Sequence, residues 1–164
     1  MLTVKCLDRR YPYQPFAQTA RETLRLHELA ERCHPTRNRW PNAYWFAFPT
    51  YVIAHPYKPS LIGYSAVSVQ GNLMQGIDMG VHPDFRGRGL GRALMYSRLR
   101  LCRDLGFVTT IVGQTQEDNT PMVRLFEEAG MERMNVVEGY YTDLSTGPAD
   151  AVIFAGNADT WKET

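Results

Sequence analysis

Between Val81 and Leu94 the chain reads Val81-His82-Pro83-Asp84-Phe85-Arg86-Gly87-Arg88-Gly89-Leu90-Gly91-Arg92-Ala93-Leu94. Three glycines alternate with arginine and leucine where a strand-like run gives way to a helical one. Glycine permits a sharp backbone turn and a close approach to a ligand. The first amides of a helix have no partner within it, and the helix dipole adds about half a positive charge at that end. Such an entry is suited to phosphate or pyrophosphate. Arg86, Arg88 and Arg92 add guanidinium forks that match phosphate oxygens. Two other phosphate loops fit worse. No lysine completes GxxxxGK[ST], and the third glycine arrives one residue too early for GxGxxG. The plain alternative is a solvated helix start, for which three alternating glycines are costly.

Here the residues resemble a known family. Arg86-Gly87-Arg88-Gly89-Leu90-Gly91 matches the [QR]-x-x-G-x-[GA] signature of the GNAT superfamily of N-acetyltransferases, with its upstream Val-x-Pro at Val81 and Pro83. Downstream, Asn119 to Met131 is similar to that family's "N…A…LYEK.GF" segment. The resemblance covers about residues 60–155. It implies acetyl-CoA as co-substrate, held where strands 73–81 and 107–113 splay apart. The backbone of Met79 and Val81 would pair with the pantetheine amides. The amides of Gly87, Arg88, Gly89, Leu90 and Gly91 would hold the pyrophosphate, with Arg86 and Arg92 beside it. Asn119 and Phe126 would line the cofactor arm. A capping role is the plain alternative for Asn119.

Amine acetylation needs a base for the incoming ammonium and an acid for the leaving thiolate. Where many family members carry Glu or His, this chain has Gln75 and Gln114, and the usual acidic Tyr is Phe126. The remaining catalytic candidates are Asp78, Tyr140, Tyr141 and, through a held water, Gln114. Strict strand alternation sends Asp78 to the face opposite Gln75. His82 reads as structural, and Glu117 and Asp118 as loop charges. At neutral pH an α-amine (pKa near 8) has roughly 250-fold more free base than a lysine (near 10.4). A site without a strong base therefore favours α-amines, aminosugars or other low-pKa amines. A cluster of aromatics (Tyr11, Tyr13, Phe16, Trp40, Tyr44, Trp45, Phe46, Phe48) divides between core and an acceptor wall, with Tyr13 and Trp40 the better wall candidates. No Cys or Ser stands beside a base in the motif, so direct attack of the amine on the thioester is expected. The competing class is a non-catalytic acyl-CoA-binding module.

Composition sets the outer bounds. The chain has 164 residues, 44% hydrophobic, with a net charge of +1. That excludes a disordered tail or a histone-like coat, and the length gives one domain over residues 1–164. Arginines 86, 88, 92, 98, 100 and 103 form a block without an acid, while the rest of the chain is net acidic. The first three belong to the proposed diphosphate cradle, and Arg98, Arg100 and Arg103 are expected on the surface. A net acidic, Lys-poor remainder disfavours nucleic acid. Three scattered cysteines argue against a disulfide framework or a metal site and suit a reducing compartment. No apolar run reaches ~18 residues, so no membrane span is expected. The opening residues lack a signal-peptide core. A cytoplasmic protein, with a homodimer plausible, is the resulting expectation.

The elements that must position these residues follow from pattern. Strands are expected over 2–7, 44–54, 61–69, 73–81, 107–113, 132–142 and 150–155. Helices are expected over 20–33, ended by His34-Pro35, over 89–105 before Gly106, and over 121–129 behind Thr120-Pro121. The order is β-α-β-β-β-α-β-α-β-β. This is an α/β (α+β) fold: a mixed, mostly antiparallel sheet of six to seven strands, with helices on both faces and one parallel crossover at residues 82–107.

Overall fold

A computed structural model describes residues 4–6, 20–35, 50–54 and 60–158. Its strands are β1 (Val4–Cys6), β2 (Thr50–Ala54), β3 (Leu61–Gln70), β4 (Leu73–Val81), β5 (Thr110–Gln116), β6 (Glu132–Tyr141) and β7 (Ala149–Asn157). Helices α1 (Ala20–Cys33), α2 (Leu90–Leu105) and α3 (Thr120–Glu128) join them, with a 3-10 turn at Pro83–Phe85. The strands form one mixed sheet in the order β1-β2-β3-β4-β5-β7-β6. The only parallel pair described is β4–β5, across the α2 crossover. The acceptor-wall candidates Tyr11, Tyr13, Phe16, Trp40, Tyr44, Trp45, Phe46 and Phe48 lie outside the described residues.

Helix faces explain the layers. On α1, Leu26, Leu29, Ala30 and Cys33 recur at helical spacing, and all four are buried against Val52, Tyr64 and Ala66. On the opposite sheet face, α2 and α3 share a core in which Met95, Leu99 and Phe126 meet Val67, Met74, Val152 and Phe154. Gly106 ends α2 in the left-handed conformation, its N–H donating to the carbonyls of Cys102 and Arg103. Asn119 caps α3.

Both ends of β5 are shifted by three residues from the pattern, and β7 runs longer, over Ala149–Asn157. β5 begins at Thr110 rather than 107, because the amides of Thr109 and Thr110 both bond the carbonyl of Asn72 in the β3–β4 turn. It then runs on through polar Gln114 and Gln116, which pair with Ile153 and Ala151 of β7. A neighbour offering backbone partners, not side-chain polarity, sets that end.

The feature that matters for the site is where pairing stops. β4 and β5 pair only at Leu73–Thr110, Met74–Ile111 and Gln75–Val112. Beyond Gln75, β4 stays on β3 and β5 stays on β7, so the two strands part. At the point of parting β4 carries a bulge: Ala66 faces Asp78 but Val67 faces Gly76, leaving Ile77 as the extra residue.

Candidate active site

The gap between β4 and β5 opens into a cleft of about 670 Å³ that reaches from Met79, Gly80 and Val81 to the glycine loop and the start of α3. Gly87 (φ 72°) and Gly89 (φ 75°) adopt left-handed backbone conformations, so a side chain at either would be strained. Gly89 is the N-cap of α2 and supplies no side-chain cap. The entry amides of α2 therefore lack a side-chain cap at the mouth of the cleft, which is the condition for binding an anion. The loop, the uncapped helix and the splayed strands fit a diphosphate with an extended arm.

The arginines of the loop are spoken for by protein groups. Arg86 Nε donates to Val81 O (3.1 Å) and Nη2 to Cys33 O (3.0 Å). It clamps the end of α1 to the end of β4 while lining the cleft. Arg88 donates to Asp84 O at 3.3 Å, and its guanidinium lies 5.2 Å from the Phe85 ring centre. Arg92 bonds Glu128 Oε2 through Nε (3.1 Å) and Nη2 (2.6 Å), joining α2 to α3 at the cleft rim. That carboxylate holds the Arg92 pKa above its usual value.

In the second half of the arginine block Arg98 departs from its surface reading, while Arg100 and Arg103 are exposed as expected. Arg98 is only 3% exposed. Its Nε donates to Ser65 Oγ (2.6 Å), and Nη2 donates to Asp78 O (2.8 Å) and Ala66 O (3.4 Å). Gly76 makes the room, since a Cβ there would sit 2.4 Å from Arg98 Nη1. A buried guanidinium must have its donors met, and the carbonyls flanking the bulge meet them. Arg98 is thus the fastening of the bulge that parts the strands.

The bulge also corrects Asp78. Ile77 packs with the α1 core, and Asp78, the next residue, turns to that face too. Met74 lies in the α2 core, so Gln75 alternates to the α1 face. Asp78 thus shares the face of Gln75, contrary to strict alternation. Its carboxylate is 7% exposed. Oδ2 accepts from Tyr64 Oη (2.8 Å), and Oδ1 accepts from the Met79 amide (2.8 Å). That is the amide expected to pair with pantetheine, so in this structure it already has an acceptor. His34 Nε2 lies 3.5 Å from Oδ1.

The remaining expected residues divide. Val81, Leu90 and Gly91 line the cleft, as does Met79. Asn119 lines it too, but its side chain accepts from Met122 N (3.4 Å) and donates to Thr115 Oγ1 (3.0 Å). Capping is therefore what its side chain does here. Phe126 corrects the expectation that it lines the cofactor arm. It is 1% exposed, tilted against Phe154 at 5.1 Å, with Gly113 pressed on its ring edge. Without a hydroxyl to satisfy, the ring sinks into the core. Gln114 lies on the α1 face of β5, and it is Gln116, two residues on, that reaches the cleft. Tyr140 and Tyr141 stack edge to face at 5.1 Å on β6, which two strands separate from β4, with Tyr140 half-exposed. Neither lines this cleft. His82 caps the 3-10 turn, its Nδ1 accepting from Asp84 N at 3.2 Å.

No motif or spacing points to His34 and Cys33, which also line the cleft. They arrive by packing. Gly80 lacks the Cβ that would sit 2.8 Å from Cys33 Cβ and 2.6 Å from Tyr64 Cε1, so the end of α1 presses onto β4. Burial pushes the Cys33 thiol up to about 12, with Arg86 pulling down and Asp78 adding to the rise. A protonated thiol is a poor nucleophile, which accords with direct attack rather than a thiol-bound intermediate. Cys102, in the core of α2, is likewise raised to about 11 by burial.

Comparison with known proteins places this geometry. A mycothiol acetyltransferase of Rhodococcus erythropolis is 27% identical over 137 residues, which is 73% of this chain but 45% of that protein. The chain thus corresponds to less than half of that relative. Among solved structures, the ribosomal-protein-S18-alanine N-acetyltransferase of Escherichia coli superposes with a TM-score of 0.78 at 19% identity, covering 100% of this chain and 98% of that one. NAA60 of Arabidopsis thaliana in complex with acetyl-CoA gives 0.80 at 13% identity, covering 97% and 99%. These likenesses show the fold. Residues 18–131, spanning the α1 packing, the glycine loop and α3, match the model of the Acetyltransferase (GNAT) family, and the chain belongs to that family.

Proposed function

We propose that this chain transfers an acetyl group from acetyl-CoA directly to a primary amine of low pKa, an α-amine foremost. The observation that carries the reading is the coincidence of three features at one cleft: parted β4 and β5, left-handed Gly87 and Gly89, and an α2 entry without a side-chain cap. The strand edge beyond Gln75 offers backbone partners to an extended arm, and the loop amides offer them to a diphosphate. Fold neighbours include an S18-alanine N-acetyltransferase and an acetyl-CoA complex.

The preference for a low-pKa amine rests on the acceptor face. Gln75 and Gln114 occupy it without proton affinity, Cys33 stays protonated, and the strongest base lining the cleft is the imidazole of His34, a weaker base than an amine. A site of modest basicity works best on amines that are already partly deprotonated. The reading is of a cytoplasmic enzyme acting on a small molecule or peptide. Its test is thiol release from acetyl-CoA with matched peptides carrying a free α-amine or a free lysine ε-amine, and with an aminosugar, at pH 7. Faster turnover of the α-amine or aminosugar supports the reading. A clear ε-amine preference sinks the acceptor class, and acetyl-CoA binding without any turnover leaves a binding module.

A further inference from the structure

We infer that His34 is the general base of the transfer, held by Asp78 and Tyr64; the inference rests on the acetyl-transfer reading above. Of the described histidines, His34 alone lines the cleft. His27 sits on α1 beside Glu31, and His82 is spent on its cap. His34 is the first residue beyond α1, its amide still bonded to Ala30 O, so its backbone is fixed by the helix. Its Nε2 faces the Asp78 carboxylate at 3.5 Å, and its ring meets the Tyr64 ring edge-on at 6.5 Å.

The carboxylate is itself fixed. Tyr64, fully buried, donates to Oδ2, and the Met79 amide donates to Oδ1. A carboxylate fixed 3.5 Å from Nε2 favours the tautomer with its proton on that nitrogen, and the inference gives Nδ1 the accepting role. It also stabilises the imidazolium once formed. Among the described residues, the groups near the imidazole include Asp78 from β4, Tyr64 from β3, Cys33 from its own helix, and Arg86 from the loop, whose guanidinium is on Cys33 O. Of these, Asp78 supplies the negative charge.

The incoming ammonium gives one proton to His34 Nδ1. The free amine attacks the thioester carbon, the N–C bond forms, and the C–S bond breaks. The second amine proton goes to the departing thiolate, giving CoA thiol, and the imidazolium returns its proton to water. Asp78 and Tyr64 act through His34 and are positioning residues.

The test compares wild type, His34→Gln, Asp78→Asn and Tyr64→Phe as full chains. It follows thiol release with the best acceptor of the amine panel from pH 6 to 9.5, and acetyl-CoA affinity by calorimetry. His34→Gln should lose about 10²-fold in kcat while keeping its affinity for acetyl-CoA, which also reports that it folds. Its remaining rate should climb with pH, as the amine deprotonates unaided. Asp78→Asn should keep some activity with the acid limb of the profile moved to lower pH, and Tyr64→Phe should fall between it and wild type. An unchanged kcat and profile in His34→Gln overturns the inference and leaves acetyl transfer standing. Wild type that binds acetyl-CoA yet acetylates nothing overturns both. If His34→Gln loses acetyl-CoA affinity, an unshifted acid limb in Asp78→Asn overturns it and a shifted one upholds it.

Discussion

Within the arginine block, the three residues at the glycine loop and the single residue Arg98 trade places between sequence and structure, while Arg100 and Arg103 stay exposed. Arg86, Arg88 and Arg92 stand at the glycine loop, where the charge has an obvious ligand, yet each is engaged by a carbonyl or by Glu128. Arg98, three-quarters of the way along the same charged run, looks like a solvated helix residue and is buried under the bulge. The lesson is that charge density near a phosphate site does not assign individual charges to the phosphate. In this cleft the backbone amides are the part left open, and the guanidinium groups shape the walls around them.

The sharpest way to break this contrast is Arg98→Met. It removes the bonds to Ser65 Oγ, Asp78 O and Ala66 O and strands both carbonyls in the interior. Unfolding in urea should show a loss of about 3–5 kcal/mol. A loss within ~0.5 kcal/mol would return Arg98 to the surface class. Next in size is Arg86→Met, which should cost about 1.5–3 kcal/mol for two charge-assisted bonds and raise the apparent KM for acetyl-CoA by loosening the wall between α1 and β4. A raised KM with unchanged stability would make Arg86 a phosphate ligand instead of a clamp.

Cys33 offers a probe of the same clamp. Its pKa of about 12 leaves a thiolate fraction of roughly 10⁻⁴ at pH 8. Because the shift is upward, reactivity rises only as pH climbs toward 12, not near the ordinary thiol range. Peptide-mapped alkylation of Cys33 should therefore be slow at pH 8. In Arg86→Met, losing the positive charge alone would slow it further, so faster alkylation there reports opening. The smallest effect belongs to Glu128→Gln. Freeing Arg92 from its partner at the rim should lower the apparent KM for acetyl-CoA by about two- to threefold, as expected of an exposed ion pair. No change would mean that Arg92 contributes nothing to cofactor binding.

Much of the frame was legible because it depends on local rules. The apolar spacing of α1 gave its limits at Ala20–Cys33, and β4 ran over 73–81 as its pattern indicated. Gly106 and Gly130, both at positive φ, marked helix ends. Other features were hidden because distance in the chain hides them. The separation between His34 and Asp78 carries no periodic signal, and only Gly80's missing Cβ lets the two elements touch. The bulge at Ile77 was equally silent, since one inserted residue leaves composition unchanged while reversing every side chain beyond it.

The sequence by itself therefore determined the order of elements, the glycine loop at a helix entry and the family to which that loop belongs. Those follow from backbone freedom at glycine, from helical and strand periodicity, and from a contiguous motif. Only the tertiary structure decided which face Asp78 takes, that Arg98 is inside, and that Phe126 is core. Each of these depends on what lies opposite in space: a bulge that needs a buried cation, a carboxylate that needs donors, and a ring with no hydroxyl to keep it in the cleft. Burial and partner choice are properties of the packed whole, and a linear pattern does not contain them.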